Sequence, residues 1–379
     1  MAVFQDNPGE PVQENNHLTF LYFYSPLVGC WNCPAVAFHC TTLAGLQQPH
    51  KFYIGCCSCH LGLLLFAVCV SPVGNVIESF GVRHQQYADD TQLYLFMRAS
   101  DSAQELDVLR SCSTVVHDWY LSNNLLVNAD MAIVLGTANE LRSATSIDSV
   151  EVAGVALPVA TTLKSLGVIL DQRLTFNEHA TAVVKSCNYH ARAIRHVRHL
   201  LTESVAQMLA RSLINSRLDY CNSLLYGAQE ATVDKLQRAQ NNAARAILST
   251  NGRVDARPLL RQLHWLPVRQ CIFYKTAVLA HRANTTGVPA YLKDHLIQRV
   301  PSRQTRSAAA PLLSVPRLTT DFARRLFSYA APVIWNSLPT EVILCDSEHS
   351  FKRHLKTFLF NCCHQTIWPI PHQCLCSLL

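Results

Sequence analysis

Two adjacent carboxylates are the residues whose type and spacing could carry chemistry. Asp89 and Asp90 follow Tyr87-Ala88, and the flanking runs HQQYA and TQLYLF are rich in β-forming residues. This pattern predicts a β-hairpin with the carboxylates at its turn. Two such charges could hold the cations of a two-metal phosphoryl transfer, in which the metals activate a hydroxyl and stabilise the leaving group. An Asp-Asp pair also simply suits a β-turn, so the motif alone leaves both interpretations open.

The elements after this motif indicate an α+β fold with an antiparallel sheet. Apolar residues at helical spacing predict a helix over 102–121, with Asp101 or Ser102 as its N-cap and Asn123-Asn124 as its stop. Three strands are then predicted, at Ala132–Leu135, Val150–Leu157 and Leu163–Leu170.

After Asp171 the pattern becomes helical. An apolar stripe extends from Val183 to Leu201, and Thr202 is expected to cap a second helix through Leu213. A third helix is predicted at Ala231–Leu248. Six prolines then indicate short helices and loops, followed by an amphipathic stretch at Phe351–Phe360.

Charge is distributed unevenly along the chain. Residues 181–360 hold 25 Lys and Arg against 10 Asp and Glu, a net charge of +15, whereas the rest of the chain has a net charge of −9. A basic half joined to an acidic half suggests a module that faces a polyanion. A solvated basic surface is the alternative.

The N-terminal segment differs from the rest. Residues 1–55 are rich in aromatics, Cys and Pro and show no clear helical or strand period, and no Asp or Glu occurs between Asn15 and Ile77. The polar start of the chain does not resemble a secretory signal, so we expect an intracellular protein, in the nucleus or the cytoplasm, with reduced thiols. The longest apolar run, Leu61 to Val70, is shorter than the roughly 20 residues that cross a bilayer, so no membrane partner is expected.

Cysteine and histidine occur in two groups that could bind zinc. Their spacing lacks the two regular ligand pairs of structural zinc sites, so unrelated sequence explains them better. The residues concerned are Cys30, Cys33, His39, Cys40, Cys56, Cys57, Cys59 and His60 near the start, and Cys362, Cys363, His364, His372, Cys374 and Cys376 near the end.

Several longer motifs resemble one family in order. The stretch LGLLLFAVCVSPVGNVIESFGVRHQQYADDTQLYLF (61–96) is similar to the active-site hairpin region of LINE-type (non-LTR) retrotransposon reverse transcriptases. The similarity continues through WYLSNNLLVNAD (119–130), LKSLGVILDQRLTFNEH (163–179), SRLDYCNSLLYG (216–227), KLQRAQNNAARAI (235–247), LHWLPVRQCIFYK (263–275) and AAPVIWNSLPTE (330–341).

This resemblance implies the organisation of a right-hand polymerase. We expect a partial palm with an antiparallel sheet at 61–175, a basic thumb-like helical domain at 176–250 and a C-terminal helical region at 251–360. Residues 1–60 would be an unrelated or disordered segment, and 361–379 a Cys-rich tail. The expected partners are an RNA template and a DNA primer.

The resemblance also implies roles for individual residues. Asp89 and Asp90 would be catalytic ligands of Mg²⁺, and Tyr87 would lie beside the primer end. Leu166-Gly167 resembles the hairpin that grips the primer, where close approach of the backbone favours glycine. We expect Arg192, Arg195 and Arg198 to contact the nucleic-acid backbone.

Two departures from the family affect activity. The family's other essential Asp lies on a strand roughly fifty residues before the hairpin, but here that window is free of carboxylates. After Asn128-Ala129-Asp130 the family usually has Lys, a candidate proton donor, whereas Met131 cannot donate a proton. The sequence therefore predicts a truncated reverse transcriptase that does not polymerise DNA by itself. A non-catalytic nucleic-acid-binding module and a relic without function are the alternatives.

Overall fold

The computed structural model describes residues 17–26, 66–87, 90–98, 102–143, 147–152, 154–250, 254–299 and 311–364. They belong to two compact units, which divide between Leu174 and Thr175. Most of the N-terminal segment, Asp89 and residues 365–379 lie outside the described residues, and so does the whole group of cysteine and histidine residues near the start. No helix in the described part of the chain is long and apolar enough to cross a membrane.

The first unit is built on a six-stranded sheet. In space the strands follow the order β2-β3-β1-β4-β6-β5, and neighbouring strands are antiparallel except β4 and β6, which are parallel. The strands are β1 (His17–Pro26), β2 (Arg83–Tyr87), β3 (Asp90–Arg98), β4 (Val127–Leu135), β5 (Ser149–Val152) and β6 (Val155–Ala160). The helices are α1 (Pro72–Glu78), α2 (Ser102–Ser122) and α3 (Ala138–Ser143).

The first four strands and two helices have the connectivity of a split β-α-β unit. The chain runs β1, α1, β2, β3, α2, β4, and β1 lies between β3 and β4 in the sheet. Leu93, Leu95 and Met97 of β3 pack in one core with Ile77 of α1 and Val116 of α2. Both helices therefore cover the same face of the sheet.

A glycine permits the close approach of α1 to the sheet. A Cβ at Gly74 would lie 2.7 Å from Nε2 of His84 on β2. Burial lowers the pKa of His84, although nearby Glu78 acts in the opposite direction. The neutral imidazole is therefore the form that this interface favours.

The sequence predicted much of this unit and missed one strand. The hairpin over 84–96 and the helix over 102–121 are confirmed, and α2 ends where Asn124 takes a left-handed conformation with φ of 58°. Strand β1 was not predicted, because HLTFLYFYSP lacks the alternation of a half-buried strand. It lies in the segment expected to be unrelated or disordered, yet it is central in the sheet.

Two of the predicted strands are in fact hairpins. The segment Val150–Leu157 is divided between β5 and β6, and Gly154 in the connection has a φ of 79°. The segment Leu163–Leu170 forms a separate two-stranded sheet of β7 (Thr162–Ser165) and β8 (Val168–Asp171). In each segment the continuous apolar pattern predicted one strand, because it showed no break at the turn.

The second unit is helical in its described residues. The first helix of this unit, α4 (Asn177–Val197), was predicted from the sequence. Thr202 caps the next helix, as predicted, by accepting a hydrogen bond from the Val205 amide at 3.3 Å. The chain continues through α5 (Glu203–Ala210), a π-helical turn (Arg211–Asn215), α6 (Ser216–Asp219), α7 (Glu230–Ile247), α8 (Ala256–Gln262), α9 (Val268–Thr286), α10 (Ala290–Lys293), α11 (Phe327–Asn336), α12 (Thr340–Ile343) and α13 (Glu348–His364).

The prediction of the second helix was wrong at its end. It was expected to continue through Leu213, but α5 ends at Ala210 and the chain enters the π-helical turn. The third predicted helix is confirmed as α7, and the amphipathic stretch at Phe351–Phe360 is confirmed within α13.

A histidine is buried in an aromatic cluster at the centre of this unit. The His281 ring on α9 stacks on Phe351 with their centroids 4.1 Å apart, and Trp335 lies beside both rings. Burial lowers the pKa of His281, whereas its hydrogen bond with the Cys345 carbonyl and the charge of Glu348 act against that shift.

We expect this histidine to make the stability of the protein depend on pH. Because the pKa of His281 is lower in the folded chain than its ordinary value of 6.5, the unfolded chain binds more protons as pH falls below that value. The free energy of unfolding should therefore decrease between pH 7.5 and about 5.5. Urea unfolding followed by circular dichroism measures this slope. It should become smaller in His281→Gln and stay unchanged in the exposed control His196→Gln, and an unchanged slope in His281→Gln would contradict the assignment.

Candidate nucleic-acid interface

The hairpin of β2 and β3 brings the predicted catalytic motif to a tight turn. Tyr87 and Asp90 are opposite each other as the last pair of the ladder, so two residues connect the strands. Those two, Ala88 and Asp89, lie outside the described residues. Asp90 begins β3 and is partly buried, whereas the Tyr87 side chain is 65% exposed beside the turn.

The two faces of β3 have different neighbours. Thr91 is buried on the side of the helices, and its hydroxyl lies 3.3 Å from the Tyr120 hydroxyl of α2. Side chains alternate along a strand, so Asp90, Gln92 and Tyr94 share the opposite face. The Tyr94 hydroxyl donates to Oε1 of Gln92 at 3.1 Å.

Strand β1 lies directly beside the predicted catalytic residues. Tyr24 is opposite Thr91 on one side and Ala129 on the other. The paired register of β1 with β3 ends at Tyr24 and Thr91, and extending it by one residue places Ser25 next to Asp90. The sequence of β1, HLTFLYFYSP, contains no Asp or Glu. The neighbour of Asp90 in the sheet therefore adds no carboxylate.

The second hairpin named by the sequence lies on the face of β3 that carries Gln92 and Tyr94, and both of these side chains are buried. Nε2 of Gln92 donates to the Ser165 hydroxyl at 2.9 Å, and Ser165 is the last residue of β7. The next residues are Leu166 and Gly167, with φ angles of 44° and 82°. Two positive φ angles in a two-residue connection are typical of a type I′ turn, in which Asn-Gly is preferred. The structure thus brings the Leu166-Gly167 turn to the strand that begins with Asp90.

The described acidic groups do not complete a metal site. In the part of the chain that the structure describes, no three His, Cys, Asp or Glu residues are grouped closely enough to hold a metal ion. Asp90 belongs to that part and Asp89 does not. A two-metal centre needs several carboxylates around its cations, and the described donors do not fit it.

Helix α4 presents a basic face that the sequence predicted in part. Arg192 and Arg195 are exposed and have no ion-pair partner among the described residues. Lys185 and Tyr189 precede Arg192 by seven and three residues, so these three residues share one face of the helix. Tyr189 is 70% exposed. The sequence analysis passed over Tyr189, although its helical spacing from Arg192 is the signal that could have identified it.

Arg198 occupies a different environment. Its guanidinium donates through Nε to the Ile247 carbonyl and through Nη1 to the Leu201 carbonyl, the latter at 2.7 Å. Ile247 is the last residue of α7, where carbonyl groups lack helical partners. Arg198 therefore joins the ends of two helical segments, while Arg192 and Arg195 point to solvent.

No protein-family model, curated protein or solved structure matches the chain. Support for a function therefore comes from the motif resemblance and from the geometry of these residues.

The turn at Leu166 gives a testable prediction about strain. An L-residue other than Asn or Asp in the left-handed region costs roughly 1–2 kcal/mol, so Leu166→Asn should stabilise the protein by about 1 kcal/mol. The matched control is Leu126→Asn, because Leu126 is also exposed but lacks a positive φ. Urea unfolding of both variants measures the difference. A loss of stability in Leu166→Asn would show that the leucine side chain packs favourably and that the turn is not strained.

Proposed function

We propose that the chain is a truncated fragment of an RNA-directed DNA polymerase of the non-LTR retrotransposon type, inactive by itself. One observation supports this most. The hairpin that carries Asp89 and Asp90 lies beside β1, in a sheet whose face opposite the helices also contacts the hairpin of Leu166 and Gly167. A polymerase palm needs such an arrangement, because its acidic strands and its primer-gripping hairpin must act on the same strand end.

The sequence of β1 supports the proposed lack of activity. In this proposal β1 takes the place of the strand that carries the family's other metal-binding Asp. It offers Tyr24, Ser25 and Pro26 at the end nearest the hairpin, and none can neutralise a divalent cation. Met131 on β4 is 46% exposed and cannot protonate a leaving group. Losing a metal ligand is the more severe defect, since general acid catalysis typically contributes about 10²–10⁴-fold.

The remaining residues suit binding rather than chemistry. Tyr87 offers an exposed aromatic ring at the hairpin tip, and Gly167 allows a backbone to approach closely. On the second unit, Arg192 and Arg195 offer cations to phosphates. Mg²⁺, an RNA template and a DNA primer remain the ligands that the family resemblance implies.

A second candidate function is nucleic-acid binding without catalysis. The exposed face of α4 favours it, since Lys185, Tyr189 and Arg192 combine charge with an aromatic ring. Phosphate contacts of this kind position a nucleic acid without reading its sequence. This function requires only the helical unit, so it would hold even if the sheet of the first unit were unrelated to a polymerase.

A carboxylate placed on β1 tests the proposed palm. Ser25→Asp should bring a third carboxylate next to Asp90 and tighten Mn²⁺ binding by about tenfold, because carboxylate number largely sets the affinity for hard cations. Tyr24→Asp is the matched control, since adjacent strand residues lie on opposite faces. Electron paramagnetic resonance measures free Mn²⁺. The gain should disappear in Ser25→Asp combined with Asp90→Ala.

Equal Mn²⁺ affinity in the Ser25→Asp and Tyr24→Asp variants would contradict the proposed position of β1.

For the unmodified protein we expect no more primer extension on a primed RNA template than for the double variant Asp89→Ala, Asp90→Ala. Extension that disappears in this double variant would show that another acid supplies the missing ligand.

The basic face of α4 gives a separate prediction. Replacing Arg192 and Arg195 with Ala should weaken binding to every nucleic-acid sequence alike. It should also flatten the slope of log K against log salt by about 0.7–0.9 for each lost phosphate contact. Fluorescence anisotropy at several salt concentrations measures both. Arg198 is left intact, because its substitution would disturb the fold.

The control is a variant with Arg261→Ala and Arg353→Ala, which removes two exposed arginines elsewhere in the same unit. An equal loss of affinity in both double variants would mean that net charge, not the α4 face, determines binding.

A further inference from the structure

Two motifs that the proposed function leaves unexplained meet at one cavity in the helical unit. The cavity has a volume of about 470 Å³, which is in the usual range of small-molecule sites. Its wall includes Asp219 and Asn222 from SRLDYCNSLLYG and Trp265 from LHWLPVRQCIFYK. The π-helical turn Arg211–Asn215 also borders it, and such turns occur frequently at functional sites.

Three cations from separate elements surround this cavity. Arg211 belongs to the π-helical turn, Lys275 to α9 and Lys356 to α13. All three side chains are exposed, and none has an acidic group within ion-pair distance in the described part of the chain. Asp219 is the one acidic residue of the described wall. With Asp219 ionised, these four residues give the wall a net charge of +2, which complements a dianion.

Asp219 is already engaged by its neighbours. Its Oδ1 accepts a hydrogen bond from Nδ2 of Asn222 at 3.5 Å. The Cys271 thiol of the same wall donates to the Leu266 carbonyl at 3.4 Å. The protein around the concave wall removes part of the hydration of this carboxyl and raises its pKa, while Lys275 acts in the opposite direction. Asp219 therefore compensates the three cations incompletely.

The wall also contains buried polar atoms that lack partners. Oδ1 of Asn222 and Nε1 of Trp265 are buried and have no hydrogen-bond partner among the described residues. Buried polar groups in folded proteins are normally paired, so an unpaired acceptor and an unpaired donor beside one cavity are unusual.

We propose that this cavity binds a phosphate monoester of about mononucleotide size. Arg211, Lys275 and Lys356 surround the phosphate, and the remaining volume of the cavity holds the organic part. The dianionic charge of a phosphate monoester matches the charge of the wall better than a single carboxylate does. The site lies within the helical unit, so the proposal holds whether or not the first unit is a polymerase palm.

Calorimetric titration of the full chain tests this proposal, with adenosine 5′-monophosphate as the probe. We expect saturable binding of the monophosphate and at least about tenfold weaker binding of adenosine, which corresponds to 1.4 kcal/mol. Lys275→Gln and Lys356→Gln should each weaken the binding of the monophosphate by a similar factor. The matched control is Lys164→Gln on β7, an exposed lysine of the first unit that lies outside the cavity, and it should leave the affinity unchanged.

Adenosine binding as tightly as its monophosphate, or unchanged affinity in both cavity variants, would overturn the proposal. Both substituted lysines are exposed, so the variants are expected to fold, and a thermal unfolding curve checks this. A 5′-phosphorylated trinucleotide distinguishes the two possible sources of the phosphate monoester, which are the end of a nucleic-acid strand and a free small molecule. Tighter binding than the monophosphate would support the end of a nucleic-acid strand as the ligand, and equal or weaker binding would support a free small molecule.

Discussion

The position of β1 between β3 and β4 is the constraint on which the first unit depends. A central strand must pair its backbone on both sides, and β1 does so with the hairpin strand β3 and with β4. Without it, β2-β3 would be a two-stranded hairpin apart from the other strands, which is marginally stable in water. The same strand determines which residues stand next to Asp90. Strand pairing and the chemistry of the site are therefore set by the same ten residues.

This constraint explains how the chain keeps its fold without the polymerase activity that the proposed function denies it. Pairing of β1 uses backbone groups, which are the same whether the residue beside Asp90 is Ser or Asp. A carboxylate at that position would place two negative charges side by side, which is unfavourable unless a cation neutralises them. A strand without acidic residues avoids that repulsion. Loss of a metal ligand at this position is consequently compatible with a stable sheet.

Sequence patterns predicted the elements that have a clear period and missed those that do not. Helices α2, α4 and α7 have apolar residues at helical spacing, and the Thr202 cap was recognisable from its side chain. Strand β1 is a nearly continuous aromatic run, so alternation could not reveal it. The apolar pattern of Leu163–Leu170 predicted a single strand, because leucine is not a usual residue at a positive φ, and only the family resemblance indicated a hairpin at Leu166-Gly167.

For a related reason, the sequence indicated the basic face of α4 but gave no sign of the cavity. Residues of the α4 face are close in sequence, whereas the cations of the cavity are separated by 64 and 81 residues and come together through packing.

The two sites also differ in how solvent acts on them. Exposed charges along α4 are screened by salt over about 8–10 Å, so their effect on a polyanion falls steeply with ionic strength. Cations around a concave wall are partly shielded from solvent and are screened less. The fold thus offers one surface suited to a long, loosely held polyanion and one suited to a small anion.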